Sequence, residues 1–360
     1  MTLPTRAYLG GFSLALAVGA AGGWAFATLN MPLPWMVGAM CATTVAALAG
    51  APLRIPSPLR SLMIAVLGTM LGSTFTPEVA AGFARWWPSL IGLLLYTALV
   101  MAVGAPILAR ARGFNPAAAF FAAAPGGFSE MVFLGGRLGG DERAMSLVHS
   151  VRILITVLLI PLWFRLFQGY VPGAIRGLGV FADLALDDAA ILAACAVVGF
   201  VAGRALRLPA APLIGPMILS AAVHLAGFTR ASPPAEIVNI AQIVLGAGIG
   251  ARFVGFDVRR VFGTMALGAG VTIAMLALAV GAALILERST GLPFTTLILA
   301  FAPGGLAEMT LISLSLGIDT AFVSVHHFAR MVFLVMLAPL AFRAADGLLA
   351  MIGADRRGEG

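Results

Sequence analysis

The amino-acid sequence predicts an all-α membrane protein made of two related halves. Hydrophobic residues make up 61% of its 360 residues and charged residues only 10%, and the mean hydropathy is +1.03. A soluble globule of this length needs more polar surface than that composition supplies. A second observation is a repeated motif, since 124–131 reads APGGFSEM and 302–309 reads APGGLAEM. Each copy places a helix-breaking Pro-Gly-Gly and a glutamate inside an apolar segment, where both are costly in lipid.

Internal duplication extends well beyond this motif. A shift of 178 residues relates about a hundred positions of the two halves without a gap, including Gly68 and Gly246, Asp141 and Asp319, His149 and His327, and Arg152 and Arg330. Duplicated membrane domains are a common build of secondary transporters. We therefore predict two homologous membrane repeats, residues 1–180 and 181–360.

The apolar segments follow the same plan in each half. In the first half they span 7–29, 35–50, 61–75, 86–109, 114–136 and 144–167. In the second half they span 189–206, 212–228, 236–251, 261–286, 294–316 and 320–342. The first segment is about 23 residues long, which suffices to cross a bilayer and exceeds the apolar part of a secretory signal. Proline and arginine separate the segments, and the interfacial pair Trp86 and Trp87 begins the fourth one. The tail from Arg343 is expected to be short and polar.

The placement of arginine separates two topologies, because cytoplasmic loops carry an excess of basic residues. With an inside N-terminus and six crossings in each half, the arginines outside the spans divide into 12 inside and 8 outside. If 114–136 and 294–316 instead enter and return on one side, the division is 15 inside to 5 outside, the five being Arg85, Arg165, Arg176, Arg230 and Arg288. The charge rule favours inverted-topology repeats with about ten transmembrane helices plus two re-entrant hairpins. Twelve full spans in parallel repeats are the alternative.

The two Pro-Gly-Gly breaks are the predicted binding site. Hairpins entering from opposite faces would bring both breaks towards the bilayer midplane, where non-helical backbone persists only if it is buried in protein or lines a cavity. Its free N–H and C=O groups bind solutes and ions in transporters. A kink that lets helices pack closely is the structural alternative. The predicted substrate-binding residues are Pro125, Gly126, Gly127, Ser129, Arg152, Pro303, Gly304, Gly305 and Arg330.

Ionisable side chains accompany each break. A glutamate follows each Pro-Gly-Gly by three residues, and each His-x-x-Arg pair shares one helix face. Arg152 lies roughly 12 Å inside its segment, close to mid-membrane. We expect Arg152 to pair with Glu130 and Arg330 with Glu308, either as a purely structural bridge or beside a solute. The predicted coupling-ion residues are Glu130, Glu308, His149 and His327.

Several classes of function are disfavoured by the same residues. Cys41 and Cys195 lie in apolar runs and are typical of packing residues. The chain has four histidines, and the adjacent His326 and His327 diverge by about 100° on a helix, so no local metal box is formed. No basic soluble module for nucleic acid occurs. We therefore predict neither an enzyme nor a cofactor or metal.

Two further sequence features carry a family resemblance. The duplicated APGG-x-x-EM motif, each copy followed by a His-x-x-Arg helix, together with 33–38 (LPWMVG) and 211–216 (APLIGP), resembles the AbrB family of bacterial membrane proteins. The resemblance covers essentially the whole chain and implies a duplicated, multi-pass domain of the inner membrane. Members of that family carry labels such as ammonia monooxygenase or AbrB-type regulator.

The predicted function is transport by a secondary transporter. It would move a small solute by alternating access, and the arginines favour an anionic one, coupled to a proton or a sodium ion. The alternative is a membrane sensor or regulatory protein that influences gene expression without transport. The expected partners are the solute, the lipid bilayer and a second copy of the chain in a homodimer, with no nucleic acid.

Overall fold

The computed structural model describes residues 6–75, 82, 85–111, 113–170 and 179–355. Within these ranges all regular structure is helical. The first half contains α1 (Arg6–Thr28), α2 (Pro34–Leu48), α3 (Ser57–Gly72), α4 (Trp87–Ala109), α5 (Pro116–Ala123), α6 (Phe128–Arg137) and α7 (Glu142–Phe167). The second half contains α8 (Leu186–Ala205), α9 (Ala211–Leu225), α10 (Ala235–Gly250), α11 (Val258–Thr290), α12 (Phe294–Phe301), α13 (Leu306–Leu316) and α14 (Thr320–Asp355).

The chain divides into two compact units, and each takes helices from both halves. Unit 1 comprises Met1–Gly82, Leu158–Val258 and Thr310–Ala321. Unit 2 comprises Phe83–Val157, Arg259–Met309 and Phe322–Gly360. The repeats 1–180 and 181–360 describe the sequence duplication and stay a prediction. The charge count used four arginines that lie outside the described residues, namely Arg112, Arg176, Arg356 and Arg357.

Glycine allows close helix contacts in unit 1. A Cβ atom at Gly38 of α2 would overlap the carbonyl oxygen of Gly22 in α1, and a Cβ atom at Gly215 of α9 would overlap that of Gly199 in α8. Small residues let helix backbones approach in this way. The two glycine pairs occupy corresponding positions of the two halves.

Other contacts of unit 1 join helices of different halves. Gly68 of α3 lies against the carbonyl oxygen of Leu213 in α9, and Gly246 of α10 lies against that of Met36 in α2. Between α3 and α9, the Ser220 hydroxyl donates a hydrogen bond to the carbonyl oxygen of Thr69 over 2.7 Å. These contacts bury the glycine faces of α3 and α10.

Seven helices among the described residues are long and apolar enough to cross a membrane. They are Leu9–Thr28, Trp87–Ala109, Glu142–Phe167, Leu186–Ala205, Ala235–Phe253, Phe262–Thr290 and Thr320–Gly347. Shorter apolar helices are Pro34–Leu48, Ser57–Gly72, Ala211–Leu225 and Leu306–Leu316. The predicted segment 320–342 ends too early, because α14 continues to Asp355 and its apolar part to Gly347.

In unit 2, the predicted segment 114–136 is two half-helices that fold back on each other. The side-chain amide of Asn115, just before α5, donates to the carbonyl oxygen of Gly139, just after α6, over 2.6 Å. Further in, a Cβ atom at Gly135 would stand 3.0 Å from Cβ of Phe121. Asn115 also caps α5, since its Oδ1 accepts from the backbone N–H of Ala118 over 2.8 Å. The start of α5 and the end of α6 therefore lie side by side.

Candidate functional site

Both Pro-Gly-Gly motifs interrupt a helix. The linkers 124–127 and 302–305 separate α5 from α6 and α12 from α13. Pro125 and Pro303 have no N–H to donate to the carbonyl oxygen four residues earlier, which belongs to Phe121 and Leu299 respectively. Gly127 then adopts φ +44°, a left-handed conformation that favours glycine. These are the broken-helix positions that the sequence predicted.

The arginines of the His-x-x-Arg helices cap the first half-helix of each broken segment. Arg152 Nη1 on α7 donates to the carbonyl oxygen of Ala124. Arg330 Nη1 on α14 donates to the equivalent carbonyl oxygen, that of Ala302, over 2.7 Å, and its Nη2 donates to Gly304 O over 3.0 Å. The last carbonyl groups of a helix lack partners and carry negative partial charge, so a cation stabilises them. Both arginine side chains are 1% exposed.

The expected pairing of these arginines with the glutamates does not form. Within the described residues, no ion pair joins Arg152 to Glu130 or Arg330 to Glu308. Each glutamate lies in the first turn of the second half-helix, where a negative charge stabilises the helix dipole. The carboxylate of Glu130 turns back towards Gly127, at 3.1 Å from the place of a Cβ atom on that glycine. The arginine therefore lies at the end of the first half-helix and the glutamate at the start of the second.

His327 completes the cap in the second repeat. Its Nδ1 lies 2.8 Å from Arg330 Nη2, and its Nε2 lies 2.9 Å from the carbonyl oxygen of Leu299. A guanidinium group can only donate, so Nδ1 is the acceptor and the ring proton is on Nε2. His327 thus satisfies the carbonyl group that Pro303 leaves without a backbone donor.

The first break lies against the helix that carries Arg330. A Cβ atom at Gly126 would stand 3.6 Å from Arg330 Nε and 2.9 Å from Leu334 Cδ1, and one at Gly127 would stand 3.7 Å from Met331 Cγ. Arg152 and Arg330 are close enough to interact electrostatically. Unit 2 therefore brings the buried Pro125, Gly126, Pro303 and Gly304 of both motifs into one region with the two arginines.

The other predicted residues are placed less centrally. Gly127, Gly305, Glu130 and Glu308 are half-buried, and Glu308 interacts electrostatically with Arg152 of the other repeat. The buried His149 packs its ring edge-on against Phe128, with ring centroids 5.9 Å apart. Ser129 is exposed, and its hydroxyl has no hydrogen bond within the described residues.

Tyr96 is a site residue that the sequence reasoning missed. Its ring lies 5.4 Å from that of Phe301 at the end of α12, and its hydroxyl donates to the carbonyl oxygen of Met275 over 3.1 Å. The hydroxyl interacts electrostatically with both arginines. The available signal was an ionisable side chain in the middle of the apolar segment 86–109.

Among the residues that the structure describes, neither Arg152 nor Arg330 forms an ion pair with a carboxylate. Within the described residues, Nε of Arg152, Nε of Arg330 and the hydroxyl of the buried Thr156 have no hydrogen-bond partner. Buried charges without a counter-ion and buried donors without an acceptor are both costly. An anion with several acceptor atoms would both neutralise the arginines and accept hydrogen bonds from the unpaired donors. In the same part of the chain, no group of three or more His, Cys, Asp or Glu side chains could hold a metal ion.

The described residues define a helical protein with seven helices long and apolar enough to cross a membrane and with two broken helices beside buried arginines. The sequence pattern of the AbrB family, described as "Transition state regulatory protein AbrB", matches residues 35–346, and the chain belongs to this family. It is 25% identical to "Uncharacterized protein YhjN" of Bacillus subtilis (strain 168), over 91% of each chain. It is also 25% identical to an Escherichia coli (strain K12) protein with the provisional name regulator AbrB, over 92% of this chain and 93% of that protein.

Proposed function

We propose that this protein is a secondary transporter that moves a small anionic solute across the bacterial inner membrane without altering it chemically. The observation that carries this proposal is the pair of buried arginines, Arg152 and Arg330, with no carboxylate in ion-pair contact among the described residues. Permanent burial of two repelling charges gains the folded protein little. A transported anion would neutralise the two arginines in the site where it binds.

The proposed topology is a pair of inverted repeats with two re-entrant hairpins. The folded-back segment formed by α5 and α6 supports it, as do the corresponding glycine contacts in the two halves. The seven long apolar helices, together with Pro34–Leu48, Ser57–Gly72 and Ala211–Leu225, supply the ten crossings.

Accessibility of single cysteines tests this topology in a background where Cys41 and Cys195 are replaced. Exposed positions flank each hairpin, Arg110 and Glu142 around the first and Ser289 and Asp319 around the second. With cysteine at these positions, a membrane-impermeant maleimide should label the first pair from the cytoplasmic side and the second pair from the other side. Labelling of Arg110→Cys and Glu142→Cys from opposite sides would instead support twelve full spans.

In the proposed mechanism, the solute binds where the two breaks meet the arginines. Its anionic group accepts hydrogen bonds from the guanidinium groups, and broken backbone at Pro125–Gly127 and Pro303–Gly305 offers further polar groups. The site opens to one side of the membrane at a time. A proton or sodium ion, carried among Glu130, Glu308, His149 and His327, couples solute movement to an ion gradient.

Solute counterflow in proteoliposomes tests the proposal. Chloride, sulfate, acetate and succinate are first compared by the thermal stabilisation they give to the purified protein, and the best is used as the radiolabelled solute. Counterflow is expected for wild type and lost in Arg152→Ala and Glu130→Gln. Arg343→Ala is the matched control, because Arg343 is exposed on the same helix as Arg330. Absence of stabilisation and of counterflow with every anion would overturn the proposal.

A regulatory protein is the second candidate, favoured by the family description and by the name of the Escherichia coli relative. Such a protein would bind the anion without moving it. Stabilisation by an anion combined with no counterflow in sealed vesicles would favour this candidate. For either function we propose a homodimer, which light scattering of the detergent-solubilised protein measures.

A further inference from the structure

The hydrogen bond between His327 and Arg330 has a polarity that a proton would reverse. His327 Nδ1 accepts from Arg330 Nη2 over 2.8 Å, while Nε2–H donates to Leu299 O over 2.9 Å. From this geometry, and resting on the proposed function, we infer that His327 binds the coupling proton together with the transported anion. Its protonation transfers Arg330 Nη2 from the histidine to the anion.

Protonation places a second N–H where the acceptor was. Nδ1–H and Arg330 Nη2–H would then face each other at hydrogen-bond distance, so the contact must break. Leu299 O still accepts from Nε2–H, and the ring therefore keeps its anchor on α12. The guanidinium group is the partner that moves, and it takes with it Nη2, which also bonds Gly304 O in the break.

The surrounding charges decide when this proton can bind. His327 faces Arg330 and the adjacent His326 on α14 and the carbonyl oxygen of Leu299 on α12. Arg330 also interacts with Tyr96 on α4 and with Arg152 on α7, which in turn interacts with Glu308 on α13. His326 is held between Ser89 Oγ and Phe322 O, each at 2.8 Å. A proton added beside these two arginines is unfavourable until an anion neutralises them, so the anion and the proton bind together.

The two repeats are not equivalent in this respect. In the first repeat the His149 ring packs against Phe128, and Arg152 forms no hydrogen bond to it within the described residues. The proton-sensitive contact of the second repeat is the one between His327 and Arg330, and we assign the coupling proton to it. A single proton for each anion is the expected stoichiometry.

Titration calorimetry of the purified full-length protein tests this inference. Succinate and acetate are titrated in buffers of different ionisation enthalpy, which reports the number of protons taken up on binding. Wild type should take up about one proton for each anion, and the dissociation constant should rise about tenfold for each pH unit across the pH range in which that full proton is taken up. His327→Gln should bind with proton uptake near zero and a flat pH profile. Glutamine can keep both hydrogen bonds, donating to Leu299 O and accepting from Arg330, but it cannot be protonated.

Controls separate this inference from the proposed function. His224→Gln should keep wild-type proton uptake, since His224 contacts the carbonyl oxygens of Ser220 and Ala231 in unit 1. Thermal unfolding confirms that each variant is folded. Anion binding to wild type without proton uptake overturns this inference and leaves the proposed function standing. Loss of uptake in His149→Gln but not in His327→Gln also overturns it. No binding of any anion removes both.

Discussion

Replacing each buried arginine by methionine should affect stability very differently, although both replacements should abolish anion binding. Arg330 donates to Gly304 O at 3.0 Å and to His327 Nδ1 at 2.8 Å. Its Nη1 bond to Ala302 O at 2.7 Å has a longer branch to Phe301 O at 3.3 Å, so three donor directions are used. At about 1 kcal/mol of net stability for each hydrogen bond, Arg330→Met should cost about 3 kcal/mol. Arg152 has its one described hydrogen bond to Ala124 O. Loss of that bond costs about 1 kcal/mol. Either substitution relieves the same repulsion between the two guanidinium groups, so Arg330→Met should remain the more destabilising by about 2 kcal/mol.

Thermal unfolding in detergent, followed by intrinsic fluorescence, measures this difference. The midpoint of Arg330→Met should lie several degrees below that of Arg152→Met. Arg343→Met, an exposed change on α14, controls for loss of an arginine as such. Equal midpoints for Arg152→Met and Arg330→Met would refute the reasoning, because the stability difference follows from the unequal hydrogen bonding of the two arginines.

Three further predictions concern the architecture around the site. Asn115→Ala removes both the cap of α5 and the bond to Gly139 O, so it should lower the free energy of unfolding by about 1–3 kcal/mol. It should also speed hydrogen exchange in 116–137, and an unchanged exchange rate would count against the closed hairpin. Gly38→Ala should push α1 away from α2 and lower the free energy of unfolding by about 1–3 kcal/mol, as measured by thermal unfolding. Gly10→Ala, at an exposed position with open space around it, should cost less than about 0.5 kcal/mol. Pro303→Ala restores a backbone donor for Leu299 O and so favours a continuous helix across the break. Counterflow should therefore fall while the unfolding midpoint does not, and counterflow at the wild-type level would show that the break is dispensable.

Local chemistry made the broken helices predictable from the sequence. Proline and glycine end a helix wherever they occur in it, and they do so without help from distant residues. The half-helices accordingly stop at Ala123 and Phe301, beside the two Pro-Gly-Gly motifs. The burial of Arg152 and Arg330 followed from their place in the middle of apolar segments.

The partners of those arginines could not be obtained in the same way. Charge alone suggested Glu130 and Glu308, but a hydrogen-bond partner is chosen by the direction and reach of a side chain within a few ångströms. The arginines lie beside the carbonyl groups at the end of the first half-helix, and the glutamates beside the start of the second. Tyr96 has no counterpart in the other half, where Ala274 takes its place, so the repeat pattern could not reveal it.

The sequence by itself determined the long apolar helices of this protein, its membership of the AbrB family and the position of both helix breaks. These depend on composition and on local backbone chemistry, which any chain of this sequence carries before it folds. Only the tertiary structure decided that the guanidinium groups cap backbone carbonyls, that Gly126 lies against Arg330, and that the compact units mix helices of both halves. Those features depend on which distant atoms packing brings together. Packing energy is the sum of many weak contacts, so it cannot be inferred from any single residue.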